Sequence, residues 1–276
     1  MEFKTLGEKC LYYRGLADYK LMPNSYVLVS VDGRSFSHRI KKQFDKPFDD
    51  VFIDIMNQTA QHLCKNIQGC KFAYTQSDEI SLVLTDFDTP TTDAFFNNRL
   101  CKIQSLVAAM ATSKFNQLMI LHKLNKASYD KLNDEEFSYT IEDSMQIIEN
   151  EPLYEFDCRA WNVPTFNDVY AYFLWRQIDC IRNSKQQTAQ TYLSHKELMN
   201  KNTDEQIILL RQKIGVKWES FKTEWKCGRF IRKVEEEFIN DKGETYIRNL
   251  WKVFPAEELI NPLVKFKLME YIPVLK

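Results

Sequence analysis

Two acidic turns stand at the ends of predicted strands in the first third of this chain. The alternating apolar run Tyr26–Val31 indicates a buried strand, and Asp32 follows it directly. Two further alternating runs, Cys70–Thr75 and Ile80–Thr85, indicate a hairpin whose turn is Ser77–Glu79. Folding can bring carboxylates at strand ends together at one sheet edge, where they suit a divalent metal such as Mg²⁺. The spacing also fits a second interpretation, because Asp-Gly and Ser-Asp are ordinary turn residues.

Helical patterns separate these strands and define the order of the elements. Apolar residues recur at helical spacing after Asp49, a predicted N-cap, and again over about residues 94–117. A further strand is predicted at Arg159–Val163, followed by a helix from Asn167 to Cys180. The order strand, helix, hairpin, helix, strand predicts an α+β fold with a ferredoxin-like βαββαβ core, to which helical and C-terminal β elements are added.

The polar segments of the chain indicate an insertion and a boundary. Residues 125–151 are polar and acidic, which predicts a surface insertion. Ser184–Gln190 has the composition of a mobile connection. We therefore expect a catalytic domain over residues 1–185 and a C-terminal region over residues 186–276 that serves RNA binding or oligomerisation.

Turn and cap signals continue in the C-terminal region. A capping box at Thr203–Gln206 and a closing Gly215 predict a short helix, and Asn240–Gly243 predicts a hairpin turn. Trp218–Arg232 mixes aromatic and basic residues, which could stack on and clamp nucleic acid. The same mixture is more often an amphipathic element whose aromatic residues lie in the core.

Composition argues against several kinds of site. Seven of the 276 residues are glycine, and the sequence contains neither a Walker A motif nor a dinucleotide fingerprint. The formal net charge of −1 restricts nucleic-acid binding to local patches. Seven scattered cysteines predict reduced thiols in a cytoplasmic protein. We also expect no membrane span and no signal peptide, because no apolar run is long enough and the first residues lack the pattern.

Four segments of the chain match one set of motifs. They are Val31–Phe36 followed by Lys46-Pro47, Tyr74–Ser81 (similar to Y-G-Q-S-D-E-Y-S), Phe156–Arg159 (similar to F-D-G-R) and Leu174–Cys180 (similar to S-W-R-Q-A-D-C). In this order and at about this spacing, over roughly residues 10–230, they resemble the tRNA-histidine guanylyltransferase family and its relatives, the 3′-to-5′ polymerases. The resemblance implies a catalytic domain of the polymerase-palm type.

The resemblance also implies a site built on the two acidic turns. The metal ligands would be Asp32, the carbonyl of Gly33 and Asp78, for two Mg²⁺ ions, and the catalytic carboxylates would be Asp32, Asp78 and Glu79. The nucleotide-binding residues would be Asp32, Gly33, Arg34, Ser35, Phe36, Ser37, Lys46, Ser77, Asp78, Arg99 and Lys102. The RNA-binding residues would be Trp175, Arg176, Gln177 and Asn183. The cations among them would have to surround one cleft to hold a triphosphate.

The implied reaction takes place at an RNA 5′ end. A 5′-monophosphate on a tRNA or another structured RNA would be activated with ATP, and the 3′-hydroxyl of GTP or another nucleoside triphosphate would then attack it. Relatives are typically tetramers. This chain has Ile181–Ser184 where the guanylyltransferases carry H-I-N-N, and Thr75 and Cys158 replace glycines of two other motifs. A relative that repairs truncated RNA 5′ ends by base pairing therefore fits at least as well as a dedicated tRNA-histidine enzyme.

Two other functions stay open on the sequence alone. Another palm-fold enzyme, such as a nucleotidyl cyclase or a conventional polymerase, would share the carboxylates but would not use RNA 5′ ends. A non-catalytic RNA-binding protein could keep the fold, although clustered carboxylates without a metal or a partner are costly.

Overall fold

One antiparallel sheet of six strands forms the centre of the molecule in the computed structural model, which describes residues 2–40, 43–132 and 140–275. The strands are β1 (Tyr26–Gly33), β2 (Cys70–Gln76), β3 (Glu79–Leu84), β4 (Phe156–Val163), β5 (Arg229–Ile239) and β6 (Thr245–Pro255). The α-helices are α1 (Leu6–Gly15), α2 (Phe36–Arg39), α3 (Asp50–Asn66), α4 (Leu100–Leu132), α5 (Ile141–Asn150), α6 (Phe166–Tyr192), α7 (His195–Leu198), α8 (Thr203–Ile214), α9 (Thr223–Lys226) and α10 (Pro262–Leu268). The sheet order is β4-β1-β3-β2-β5-β6, and the first four strands with α3 and α4 form the expected βαββαβ unit, so the predicted α+β class is confirmed.

The two sides of β1 pack against different helices, which form two layers. The three valines of β1 pack with residues of α3 and α4, whereas Tyr26 and Leu28 pack with residues of α6. Because successive strand residues point to opposite sides of a sheet, Asp32 continues the side that faces α6. On the same side of β3, the Ser81 hydroxyl lies 2.9 Å from the Tyr172 hydroxyl of α6. The strand therefore delivers the Asp32 carboxylate to the sheet edge beside α6.

The helices on the other side of the sheet begin near their predicted positions but extend further. Asp49 caps α3 as predicted, since its Oδ1 accepts hydrogen bonds from the backbone N–H groups of Val51 (2.8 Å) and Phe52 (3.0 Å). The helix expected over residues 94–117 is α4, which follows a 3₁₀ turn at Phe95–Asn98 and continues to Leu132. The predicted insertion thus starts inside α4 and ends at Glu151, the C-cap of α5, and residues 133–139 lie outside the described residues.

Helix α6 corrects two predictions. It begins at Phe166 after the N-cap Thr165, whose hydroxyl accepts a hydrogen bond from the Asp168 N–H in a capping box, rather than at Asn167. It also continues through Ser184–Gln190, the segment predicted to be a mobile connection. That segment is amphipathic: Ser184, Thr188 and Ala189 are buried while the residues between them are mostly exposed. Lys, Gln and Ala are good helix formers, and tertiary packing on one small-residue face stabilises a stretch whose composition is polar.

The C-terminal strands extend the same sheet. β5 pairs with β2 from Thr75 opposite Arg229 to Phe72 opposite Arg232, and β6 pairs with β5 along its whole length. The predicted hairpin turn is confirmed, with Gly243 at φ 79°. The predicted division at residue 185 falls within α6, and the assignment of the two domains stays a prediction.

Helix α8 confirms its predicted C-terminal glycine but has its capping box at a different position. Gly215 ends α8 in the left-handed conformation, as expected. The capping box is made by Asn202 and Glu205, one residue before the predicted position. No helix within the described ranges combines the length and the apolar character that crossing a membrane requires.

Candidate active site

Strand register brings three carboxylates together at one edge of the sheet. Asp32, near the end of β1, lies opposite Glu79 at the start of β3 and opposite Asp157 at the start of β4. Side chains of directly opposed residues lie on the same side of a sheet with Cβ atoms about 5 Å apart. The Gly33 N–H donates to the Asp78 carbonyl at 3.2 Å, which joins the second acidic turn to the first.

The turn between β2 and β3 orients its own carboxylates. Ser77 has a positive φ of 45°, as two-residue hairpin turns require, and its hydroxyl donates to Asp78 Oδ1 at 2.9 Å. Gln76 Nε2 donates to Glu79 Oε2 at 3.0 Å. Both carboxylates are therefore held in place by neighbours within the hairpin.

The electrostatics of this edge disfavour negative charge. Burial, and then the carboxylates of Asp78 and Asp157, raise the pKa of Asp32 from its ordinary 3.8 to about 6. Burial also raises the pKa of Asp78, against the hydrogen bond from Ser77. The pKa of Glu79 is raised by burial, although the Arg176 guanidinium opposes this shift. Several carboxylates that are costly to ionise together create a site that favours a cation.

Arg176 of α6 forms ion pairs at this edge. Its Nη2 lies 2.8 Å from Glu79 Oε2 and 2.8 Å from Asp179 Oδ2, and its guanidinium lies over the Trp175 ring at 4.3 Å. The residue is only 9% exposed. Arg176 therefore ties α6 to β3 and does not present its charge to solvent.

Of the four predicted RNA contacts, the structure leaves two on the surface. Gln177 is 1% exposed, and its carboxamide is used by the backbone: Nε2 donates to the Glu257 carbonyl at 2.9 Å and Oε1 accepts from the Leu259 N–H at 2.6 Å. Gln177 and Arg176 therefore hold the fold and are not available to RNA in this conformation. Trp175 is 59% exposed, and Asn183 is exposed and lines a cavity that Ser77 and Asp78 also border.

A cavity of about 430 Å³ opens beside the acidic turn. Lys46, Ser77, Asp78 and Asn183, all predicted site residues, line it. The remaining walls come mainly from the segment between α2 and α3, the first turn of α3, the second half of α6, α9 and the start of β5. They include the aromatic residues Phe44, Phe48, Phe52 and Trp225. The volume is within the usual range of small-molecule pockets.

The predicted cations do not all surround this cavity. The Thr112 hydroxyl of α4 accepts a hydrogen bond from the Phe156 N–H (3.1 Å), and Phe156 pairs with Gly33 at the acidic edge. Arg99 and Lys102 lie 13 and 10 residues before Thr112, which places them about 15–20 Å away along the helix axis. Arg99 is paired there with Asp18, at 2.7 Å. Within one chain, Lys46 is the predicted cation that reaches the cavity.

The residues after Asp32 shape the turn that enters α2. The Gly33 Cα approaches the Phe36 ring so closely that an added Cβ would lie 2.7 Å from it. Phe36 is 3% exposed and packs against Phe115, Tyr154 and Phe156, and it also borders the cavity. Arg34 and Ser35 are exposed, and Ser35 has a positive φ of 57°. The backbone of Ser37 belongs to α2, and its side chain is outside the described residues.

Asp157 and Arg159 are site residues to which the sequence reasoning assigned no role. Both lie in the motif Phe156–Arg159, opposite Asp32 and Ser30 respectively, so they share the side of the sheet that faces α6. Arg159 lowers the pKa of Asp32, against Asp157, which raises it. The alternation of charged residues within that motif was the available signal, but only the register shows that they meet Asp32.

The donors at this edge fit Mg²⁺. In the described part of the chain, no group of three or more His, Cys, Asp or Glu side chains is arranged to hold a metal by itself. Mg²⁺ usually takes one or two carboxylates and completes its octahedron with water and phosphate oxygens. Asp32 and Asp78, whose pKa values are raised, together with a backbone carbonyl, offer hard oxygen donors whose charge a cation would offset.

The βαββαβ sheet carries carboxylates at the end of β1 and at the start of β3, which is the layout that the motifs predict for a nucleotidyltransferase. The family model described as "Thg1: tRNAHis guanylyltransferase" matches residues 11–164, more than half of the chain. The chain belongs to this family, and it is therefore an enzyme of the nucleotidyltransferase class.

Individual relatives agree with this assignment. A tRNA(His) guanylyltransferase of Arabidopsis thaliana is 27% identical over 246 residues, which cover 82% of this chain and 39% of that protein's length. A bacterial Thg1-like protein in complex with ATP is 29% identical and superposes with a TM-score of 0.77, covering 98% of this chain and 100% of that one. A complex of a bacterial Thg1-like protein with GTP is also 29% identical, with a TM-score of 0.70 and coverage of 97% and 99%.

Proposed function

We propose that this enzyme adds nucleotides to the 5′ end of tRNA or a tRNA-like RNA in the 3′-to-5′ direction, after activating that end with ATP. The observation that carries the proposal is the meeting of both acidic turns beside one cavity that Lys46 also reaches. Relatives of the same fold bind ATP and GTP, the nucleotides that such a reaction needs.

The proposed reaction has two transfers. In the first, an oxygen of the RNA 5′-phosphate attacks the α-phosphorus of ATP, and pyrophosphate leaves. In the second, the 3′-hydroxyl of GTP or another nucleoside triphosphate attacks the activated 5′ phosphorus, and AMP leaves. In both transfers the residues of this chain position the reacting phosphates, as is usual for phosphoryl transfer.

Each residue has a distinct part in this proposal. Lys46 lines the cavity and supplies positive charge to a triphosphate. Asp32, Asp78 and the Gly33 carbonyl would hold Mg²⁺, with two ions expected; when bound, the metal neutralises the phosphates and makes an attacking hydroxyl more acidic. Glu79 is paired with Arg176, so its main part is to fix α6 against the site.

The RNA is proposed to be broader than tRNA-histidine. Ile181 stands where guanylyltransferases carry the histidine of H-I-N-N, and its side chain packs against the core beneath α6. Arg182 and Asn183 are the exposed residues of this segment. An apolar residue at position 181 offers no hydrogen bond to an RNA base, so we favour repair of truncated 5′ ends guided by base pairing. Assembly as a tetramer is part of the proposal and could bring Arg99 and Lys102 near a neighbouring site.

The test is a 5′-extension assay with a tRNA that lacks its first nucleotide, supplied with ATP, nucleoside triphosphates and Mg²⁺. We expect growth at the 5′ end by wild type and at least a hundredfold slower growth by Asp78→Asn, because the variant keeps the turn but loses a charge that binds Mg²⁺. Asp241→Asn, in the exposed β5–β6 turn, is the matched control and should retain wild-type activity. If several such tRNAs gain no nucleotide at the 5′ end, the proposed reaction is wrong.

A further inference from the structure

Four carboxamide side chains line the cavity from a single face of α6. They belong to Asn183, Gln186, Gln187 and Gln190. The spacing i, i+3, i+4, i+7 places them in one row, and seven residues of helix extend about 10 Å. Asp78 borders the same cavity, and the row follows on α6 after Arg176, which contacts Glu79 at the acidic edge.

The fold does not use the glutamines of this row. All three are exposed, and within the described ranges their side chains make no hydrogen bond to the rest of the protein. Gln177, on the same helix, is the opposite case, because both ends of its carboxamide bond to the backbone. The three glutamines therefore keep their donors and acceptors free for whatever enters the cavity.

Aromatic side chains form much of the rest of the cavity wall. Phe48 and Trp225 stack on each other with ring centroids 5.3 Å apart and an interplanar angle of 27°, and Phe44 and Phe52 add further rings. Flat aromatic surfaces suit stacking, and carboxamides suit hydrogen bonding to the edge of a flat polar ring. A ligand that uses both is a nucleobase, and Lys46 in the same cavity suits the phosphates attached to it.

We propose that the carboxamide row on α6 reads the base edge of the nucleoside triphosphate bound in this cavity. The inference rests on the proposed function, because it assumes that ATP and GTP occupy the site. Adenine presents an amino donor beside a ring acceptor, whereas guanine presents a carbonyl acceptor beside a ring donor. A carboxamide can pair with either by rotating through 180° about its last bond, whereas a carboxylate only accepts. The row therefore suits a site that must accept both bases.

The test replaces each glutamine with glutamate, which preserves size and removes the donor. Equilibrium dissociation constants for ATP and GTP are measured without RNA for Gln186→Glu, Gln187→Glu and Gln190→Glu. The added charge repels both triphosphates equally, so the ratio of the two constants isolates base recognition. We expect at least one variant to shift the ratio about fivefold or more in favour of GTP, the magnitude of one lost base-edge pair. Gln212→Glu, on the exposed side of α8, is the control and should leave the ratio unchanged.

The outcomes separate this inference from the proposed function. If all three variants bind both nucleotides with a ratio within about twofold of wild type, the row does not read the base and the inference is wrong. If the wild-type protein binds neither nucleotide, the proposed function itself fails. Circular dichroism checks the fold of each variant, and Gln→Met at the same position provides a neutral replacement, which should weaken both nucleotides without favouring GTP.

Discussion

Removing the charge of Asp32 should stabilise the metal-free protein while abolishing its activity. Asp32→Asn keeps the shape of the side chain and removes the carboxylate whose pKa burial and its neighbours raise from 3.8 to about 6. At 1.36 kcal/mol per pKa unit this interval corresponds to at most about 3 kcal/mol at pH 7. Because Asp32 keeps part of its surface in water, screening reduces the expected gain in unfolding free energy to about 1–2 kcal/mol.

The pH dependence of this gain has a definite sign. The folded state binds the Asp32 proton below about pH 6, and the unfolded state binds it only below its ordinary value of 3.8. Falling pH therefore stabilises wild type through this group between about 6 and 3.8, and the advantage of Asp32→Asn should shrink across the same window. Below 3.8 both states are protonated and the group contributes no further change.

Urea unfolding of wild type and variant, with and without Mg²⁺, measures these quantities. The midpoint should shift without a change in slope, since the surface exposed on unfolding is the same. Saturating Mg²⁺ at a hundred times its dissociation constant adds about 2.7 kcal/mol to wild type and little to the variant, so the order of stability should reverse. A metal-free variant at pH 7 that is no more stable than wild type would refute the electrostatic reasoning.

Three further substitutions test the packing around the site. Gly33→Ala places a Cβ 2.7 Å from the Phe36 ring and should cost about 1–3 kcal/mol in thermal unfolding, together with activity, whereas Gly15→Ala, with open space around its Cβ, should be nearly neutral. Arg176→Met leaves Glu79 and Asp179 without their shared partner and should cost about 3 kcal/mol in urea unfolding. The exposed Arg182→Met, which loses its surface pair with Asp179 and a hydrogen bond to Asn183 Oδ1, should cost less than about 1 kcal/mol, and equal losses for the two arginines would contradict the assignment. Thr165→Ala removes the N-cap of α6 and should cost about 1 kcal/mol by the same measurement, with Thr191→Ala near the other end of the helix as the milder control.

Local patterns predicted the elements that later hold the site. Short runs of apolar and β-branched residues bounded by turns identified β1, β2 and β3, which are buried on both sides of the sheet, and the Asp49 cap marked the start of α3. The same reasoning misjudged Ser184–Gln190, because six of its seven residues are polar. The residues that make it helical are small ones buried against the rest of the protein, which is a tertiary effect.

The predicted site residues show the same difference between local pattern and tertiary packing. Asp78 and Lys46 line one cavity, and Asp32 lies close enough to Asp78 for the two charges to interact, while the roles that the resemblance implies for these residues stay a prediction. Gln177 has the same residue type as Gln187 ten positions later, but one is buried and bonded to the backbone while the other lines the cavity. Residue type and spacing do not show which face of a helix is covered by the next element of the fold.

The sequence by itself determined the chemistry that is available: carboxylates placed at strand ends, a lysine before α3, and a set of motifs that identified the family. These features are local. The periodicity of strands and helices in the sequence shows them without any information about tertiary contacts. Only the tertiary structure decided which groups act together. Strand register placed Asp157 opposite Asp32, the length of α4 carried Arg99 away from the cavity, and the packing of α6 placed three exposed glutamines of a polar stretch along the cavity. Each of these depends on contacts between residues far apart in the chain, which no local pattern contains.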